Sequence, residues 1–165
     1  MSALVTPLTS DQLVGPSGAS EWSVAQVLSH LGSGSEINLA TLQAALGERE
    51  APDDSFNHSV WDRWNAMAPA DQRAGFVQHG GALIDAWEAL TPERLESLEV
   101  TVSFLPAPVT AAGYAGMRLS EAAQHGWDAR VALDAGTGLL DSSTDVLAEH
   151  LAGDLGYLLG FIGKG

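Results

Sequence analysis

Apolar residues recur at helical spacing along most of this chain, and that period constrains the fold more than any other feature. Val24, Val27, Leu28 and Leu31, then Leu39, Leu42 and Leu46, keep to one helical stripe. Phe76, Val77, Leu83, Ile84, Trp87 and Leu90 form a second. A third long helix is expected from Val109 or Thr110 to Leu133. A fourth is expected from Ser143 to Phe161, burying Val146, Leu147, Leu151, Leu155, Leu158 and Leu159. Helix signals sit where these stripes need them: Ser23 as an N-cap, Gly47 as a terminating glycine, Pro69 in a first turn. Ser10–Val14 reads as a short helix capped by Ser10 or Thr9. "FNHSVWDRWNAM" reads as another, with Val60, Trp61 and Trp64 on its apolar side. "LEVTVSF" alternates like a strand but has no visible partner, so it is expected to be an extended connection. The expected fold is all-α, a four-helix bundle with short extra helices, in a single domain spanning 1–165.

The first stripe passes through Gly32-Ser33-Gly34-Ser35, which in isolation resembles a flexible linker. Each glycine costs a helix interior about 1 kcal/mol relative to alanine. Apolar spacing continues on both sides, so the segment is expected to be helical and the glycines to have a local reason.

Composition excludes several functions. The net charge is −14 with only seven basic residues, none clustered, so a nucleic-acid partner is not expected. Anionic membrane surfaces are disfavoured likewise, and no run of about 18 apolar residues offers a span. The N-terminus lacks the pattern of a signal peptide, and the expected location is cytoplasmic. Cysteine is absent, which removes disulfides, thiolate metal sites and a protein thiol nucleophile. A homodimer stays open.

The chemistry-bearing residues concentrate in "MRLSEAAQHGWDARVALD". Glu121 and His125 are one helical turn apart, about 40° around the axis, so both can reach one metal ion. Arg118 and Asp128 share that face. The same spacing also suits a solvated stripe with a Glu–His pair at i,i+4, and with Arg118 paired to Glu121 or Asp128. His30 sits beside the apolar stripe of the first long helix, where a lone histidine is either a hydrogen-bonded core residue or a ligand. Together His30, Glu121 and His125 would make a His2Glu set with one open position, the pattern of a catalytic zinc site. His79, beside Gly80 and Gly81, is the reserve ligand, the two glycines marking close packing. His58 and His150 are expected at the surface or behind the ligands.

Two segments resemble a known family. "SEWSVAQVLSHLGSGSE" is similar to the Trp-Ser/Thr-Val…His-Leu motif of the mycothiol-dependent maleylpyruvate isomerase N-terminal domain, and "RLSEAAQHGWDARVALD" to its Glu-x-x-x-His-x-x-Asp motif. That family belongs to the DinB-like superfamily of metal-binding four-helix bundles. The resemblance implies a divalent metal, usually zinc, on His30, Glu121 and His125, with Asp128 behind them. It also implies mycothiol, the thiol of actinobacteria, as cosubstrate. The implied activity is thiol S-transfer or maleylpyruvate-type isomerisation of an electrophile. The alternative is a non-catalytic metal- or ligand-binding stress protein. On this reading Arg118 holds an anionic substrate group, and Gly34 leaves room beside the metal for the thiol or for close helix packing.

Overall fold

The computed structural model describes residues 1–153 and Gly156. In chain order the elements are α1 (Ser2–Val5), α2 (Ser10–Val14), α3 (Val24–Ala45), α4 (Asp54–Asn65), α5 (Pro69–Glu88), α6 (Pro92–Ser97), β1 (Glu99–Val100), β2 (Val109–Thr110), α7 (Ala111–Val131) and α8 (Asp141–Ala152). The architecture is the expected all-α bundle.

Local chemistry sets the helix boundaries. Ser23 accepts the N–H of Gln26, and the Gln26 side chain accepts the N–H of Ser23, a reciprocal cap that starts α3. Thr9 and Gln12 do the same for α2. Pro69 occupies the first turn of α5, where a missing N–H costs nothing. Gly47 has φ +78°, a left-handed conformation that suits glycine, and it follows the end of α3.

α3 runs through the middle and packs against α4, α5 and α7. Val24, Val27, Leu28 and Leu31 form one core cluster with Val5, Leu8, Leu13, Phe76 and Ala129. Leu42 joins a second with Leu98, Val100, Val102, Ala111, Tyr114 and Met117. Trp64 of α4 is fully buried and lies across both α3 and α5. A Cβ on Gly32 would overlap its six-membered ring, and one on Gly75 would come within 2.7 Å of it. The two glycines thus form the receptor for the indole. Its N–H donates to Glu36 Oε2 at 2.9 Å, and Arg63 pairs with the other carboxylate oxygen. Burial opposes ionisation of Glu36, but the Arg63 and Trp64 hydrogen bonds outweigh it and hold the carboxyl below its ordinary value of 4.5.

Several expectations are corrected. "LEVTVSF" does find a partner: Glu99 and Val100 pair antiparallel with Thr110 and Val109, residues expected at the start of a helix. α7 begins one residue later, capped by the Thr110 hydroxyl. Trp61, Ile84 and Val146, expected inside, are exposed. Trp61 lies three residues before fully buried Trp64, whose ring packs on Gly32 of α3. α8 starts at Asp141 and is described to Ala152; the expected continuation through Leu155, Leu158 and Leu159 to Phe161 lies outside the described residues. Among the described residues no helix is long and apolar enough to cross a membrane.

Candidate metal centre

α3 and α7 pack together and bring His30 to residues 91 positions away. His30 Nε2 lies 3.0 Å from Glu121 Oε2, and His125 Nε2 lies 3.8 Å from the same oxygen. All three side chains offer a ligand atom within 4.8 Å of one another, the one such group among the described residues. Ligand atoms held about 2.0–2.1 Å from a four-coordinate zinc would be separated by about 3.3 Å. The observed 3.0 and 3.8 Å bracket that spacing, so the donor set fits a divalent ion.

The surroundings hold the donors in place. Asp128 Oδ2 is 2.8 Å from His125 Nδ1. A carboxylate only accepts, so Nδ1 carries the proton and Nε2 presents its lone pair toward Glu121. The hydrogen bond from His30 lowers the Glu121 pKa; burial opposes this, and the charges of His125, His30 and Arg118 add to the lowering. Glu121 is therefore a carboxylate at neutral pH. Trp22 lies against both imidazoles, its ring 5.3 Å from His30 and 5.8 Å from His125. In the sequence Trp22 stood out only as the first residue of the Trp-Ser/Thr-Val…His-Leu motif, with no place at the site. It precedes the N-cap, so helical phasing gives no direction for its side chain.

Arg118 differs from expectation. It pairs with neither Glu121 nor Asp128: among the described residues no carboxylate lies within 4.0 Å of its guanidinium. One nitrogen, Nη2, donates to the Leu31 carbonyl at 2.6 Å and to Ser35 Oγ at 2.8 Å. Nη1 lies over Gly34, 3.1 Å from where a Cβ would stand. The immediate space above Gly34 is thus filled by the guanidinium. Every residue of the Gly-Ser-Gly-Ser segment acquires a local partner: Trp64 at Gly32, the His30 carbonyl at Ser33, Arg118 at Gly34 and Ser35. Burial pulls the Arg118 pKa down from its usual value, with Glu121 and Tyr114 opposing.

The other histidines are elsewhere. His79, the reserve ligand, stands 3.7 Å from Glu36 and against Trp64, away from the three donors. Gly80 and Gly81 face open space, so they do not mark close packing. His58 is exposed against Trp61, and His150 lies in the last turn of α8.

A family model described as Mycothiol maleylpyruvate isomerase N-terminal domain matches residues 1–130. The chain belongs to that family. The match contains His30, Gly34, Arg118, Glu121, His125 and Asp128. Neither the curated proteins nor the solved structures include a match to the chain.

Two cavities meet at the candidate centre. The larger, of about 740 Å³, is lined by His30 and Glu121 at one end and includes Gly34, Arg118 and Tyr114. A smaller one, of about 460 Å³, is lined by Trp22, Gln26, His30, Ser33, Asn65 and Gln72, with Trp61 common to both. Cavities of this size suit small-molecule ligands. Neither could be read from the sequence, because each is the space left between helices distant in the chain.

Proposed function

We propose that this domain is a divalent-metal-dependent enzyme using mycothiol as cosubstrate, in thiol S-transfer or maleylpyruvate-type isomerisation. His30, Glu121 and His125 are its metal ligands, and zinc is the ion their donor types suit best. The observation that carries the reading is the convergence of three donors from two helices, with Asp128 behind His125. A bound divalent ion would supply a deprotonated thiol at neutral pH.

The chain's own residues supply the rest. His30 Nε2, which faces Glu121, becomes a donor to metal once its proton is released. Asp128 keeps His125 in the tautomer that leaves Nε2 free. Trp22 limits rotation of both imidazoles. Arg118 receives an anionic group of the electrophile through the guanidinium nitrogens not engaged by Leu31 and Ser35. Gly34 acts by admitting that guanidinium, and through it shapes the larger cavity, where the anionic group of the electrophile docks. Lacking cysteine, the protein takes its sulfur from the cosubstrate. The S–H proton goes to solvent, and the thiolate sulfur adds to one carbon of a polarised C=C, whose π pair moves onto the conjugated carbonyl. Protonation of the neighbouring carbon by solvent leaves a thioether, whereas rotation about the new single bond and expulsion of the thiolate restore the C=C as an isomer. A small-thiol cosubstrate agrees with a cytoplasmic setting.

The test is turnover. Zinc-loaded protein, mycothiol and a panel of electrophiles that includes maleylpyruvate should yield a thioether or an isomer by mass spectrometry. Product formation should stop when thiol is omitted or metal is chelated. Full metal occupancy with no product from any electrophile would instead favour a non-catalytic binding module.

A further inference from the structure

The larger cavity is long, and its chemistry changes from one end to the other. Along α3 it is lined by His30, Gly34, Ile37, Thr41 and Ala45. These are successive turns of one face, spanning about 22 Å at 1.5 Å per residue. α7 lines it in reverse order, with Glu121 near His30, Arg118 over Gly34, and Tyr114 beside Thr41. Beyond Arg118 the walls carry apolar Ile37, Met117, Ala44, Val102 and Phe104, with polar Asn38, Thr41, Asn57, Thr101 and Ser103 among them. Phe104 sits on the loop between β1 and β2 and is 72% exposed, and Trp61 on α4 is 42% exposed. Both line this cavity.

Among the described residues Arg118 is the one Lys or Arg on these walls, and its Nε and Nη1 make no hydrogen bond there. A largely buried guanidinium without a carboxylate is costly, and an entering anion relieves that cost. At the far end the acidic side chains are Asp54 and Glu99, which would repel a second negative group there. The separate smaller cavity on the other side of His30, with Gln26, Ser33, Asn65 and Gln72, offers a polar cosubstrate its own place.

We propose that the larger cavity binds an amphiphile carrying one carboxylate, with the carboxylate on Arg118 and an unbranched apolar tail running toward Phe104. This names the class of the electrophile and rests on the proposed function only for the chemistry that follows binding. A compact dicarboxylate would leave the apolar end empty and gain nothing from Phe104.

Calorimetric titration of the full chain, with and without chelator, tests it using straight-chain monocarboxylates from butanoate to decanoate, decanol and decanedioate. Each methylene should tighten binding about fourfold while it finds apolar wall, with or without metal. Decanol and decanedioate should each bind at least about tenfold more weakly than decanoate. Arg118→Gln should erase the advantage of decanoate over decanol. Phe104→Ala, at an exposed loop position, should weaken decanoate and leave butanoate unchanged. Affinity independent of chain length, or unaffected by both substitutions, would overturn the proposal. Binding of the predicted pattern together with absent thiol turnover would leave the cavity assignment standing and overturn the enzymatic reading alone.

Discussion

Replacing His30 by alanine is expected to weaken zinc binding by at least about 100-fold in competition with a chromophoric chelator. The remaining donors, Glu121 and His125, are neighbours on one helix and already close. What is lost is the one ligand supplied by α3. Removing a group that merely orients a ligand typically costs 10–100-fold in affinity, so removing a ligand itself should cost no less. The helical fold should survive, because the His30 side chain is partly exposed and its hydrogen bond is to Glu121. His79→Ala is the control. It perturbs a histidine beside Glu36 and should leave zinc affinity unchanged. Undiminished zinc binding in His30→Ala would remove this residue from the ligand set.

The largest stability effect is expected at Gly32. Alanine is favoured over glycine in a helix by about 1 kcal/mol, so on propensity alone Gly32→Ala should stabilise. The added Cβ, however, would overlap the ring of Trp64, which is fully buried and also packed against Gly75. Overpacking of this kind costs about 1–3 kcal/mol, and Gly32→Val should reach or pass the upper end. Gly34→Ala differs although it lies only two residues away. Its Cβ would meet the end of the flexible Arg118 side chain at 3.1 Å, so stability should change by less than about 1 kcal/mol. Urea denaturation of the two alanine variants checks the contrast. A Gly32→Ala protein more stable than the parent would mean that Trp64 does not fill this site. Trp64→Phe, which shortens the ring system, should recover part of the Gly32→Ala loss.

These two glycines also mark how far the sequence could be read. Apolar spacing carried α3 through the Gly-Ser segment, because burial of Val27, Leu28, Leu31 and Leu42 outweighs two poor helix formers. Capping residues placed the starts of α2, α3 and α5 for equally local reasons. Glu121 and His125 were visible as an i,i+4 pair. That His30 joins them depends on how α3 packs on α7, information carried by no single segment. The alternation around Glu99 and Val100 was visible, but their pairing was missed because the partner, Val109–Thr110, is two residues at a helix start and leaves no period of its own. Trp61 and Trp64 were assigned to one apolar side, yet Trp61 faces the cavities while Trp64 fills the gap between α3 and α5. Charge pattern alone suggested that Arg118 would pair with an acidic neighbour on its own helix. The structure instead turns it across to the backbone of α3, where Gly34 makes the room.

The most direct test of the account is the absorption spectrum of the metal-free protein titrated with cobalt(II), which reports coordination through its d–d bands. Intense visible bands of a low-coordinate site should develop and saturate at one equivalent, and should fail to appear in a His30→Ala, His125→Ala double variant. If the wild-type protein leaves cobalt with the weak spectrum of the free aqua ion, then His30, Glu121 and His125 do not form a metal centre, and the proposed function fails with them.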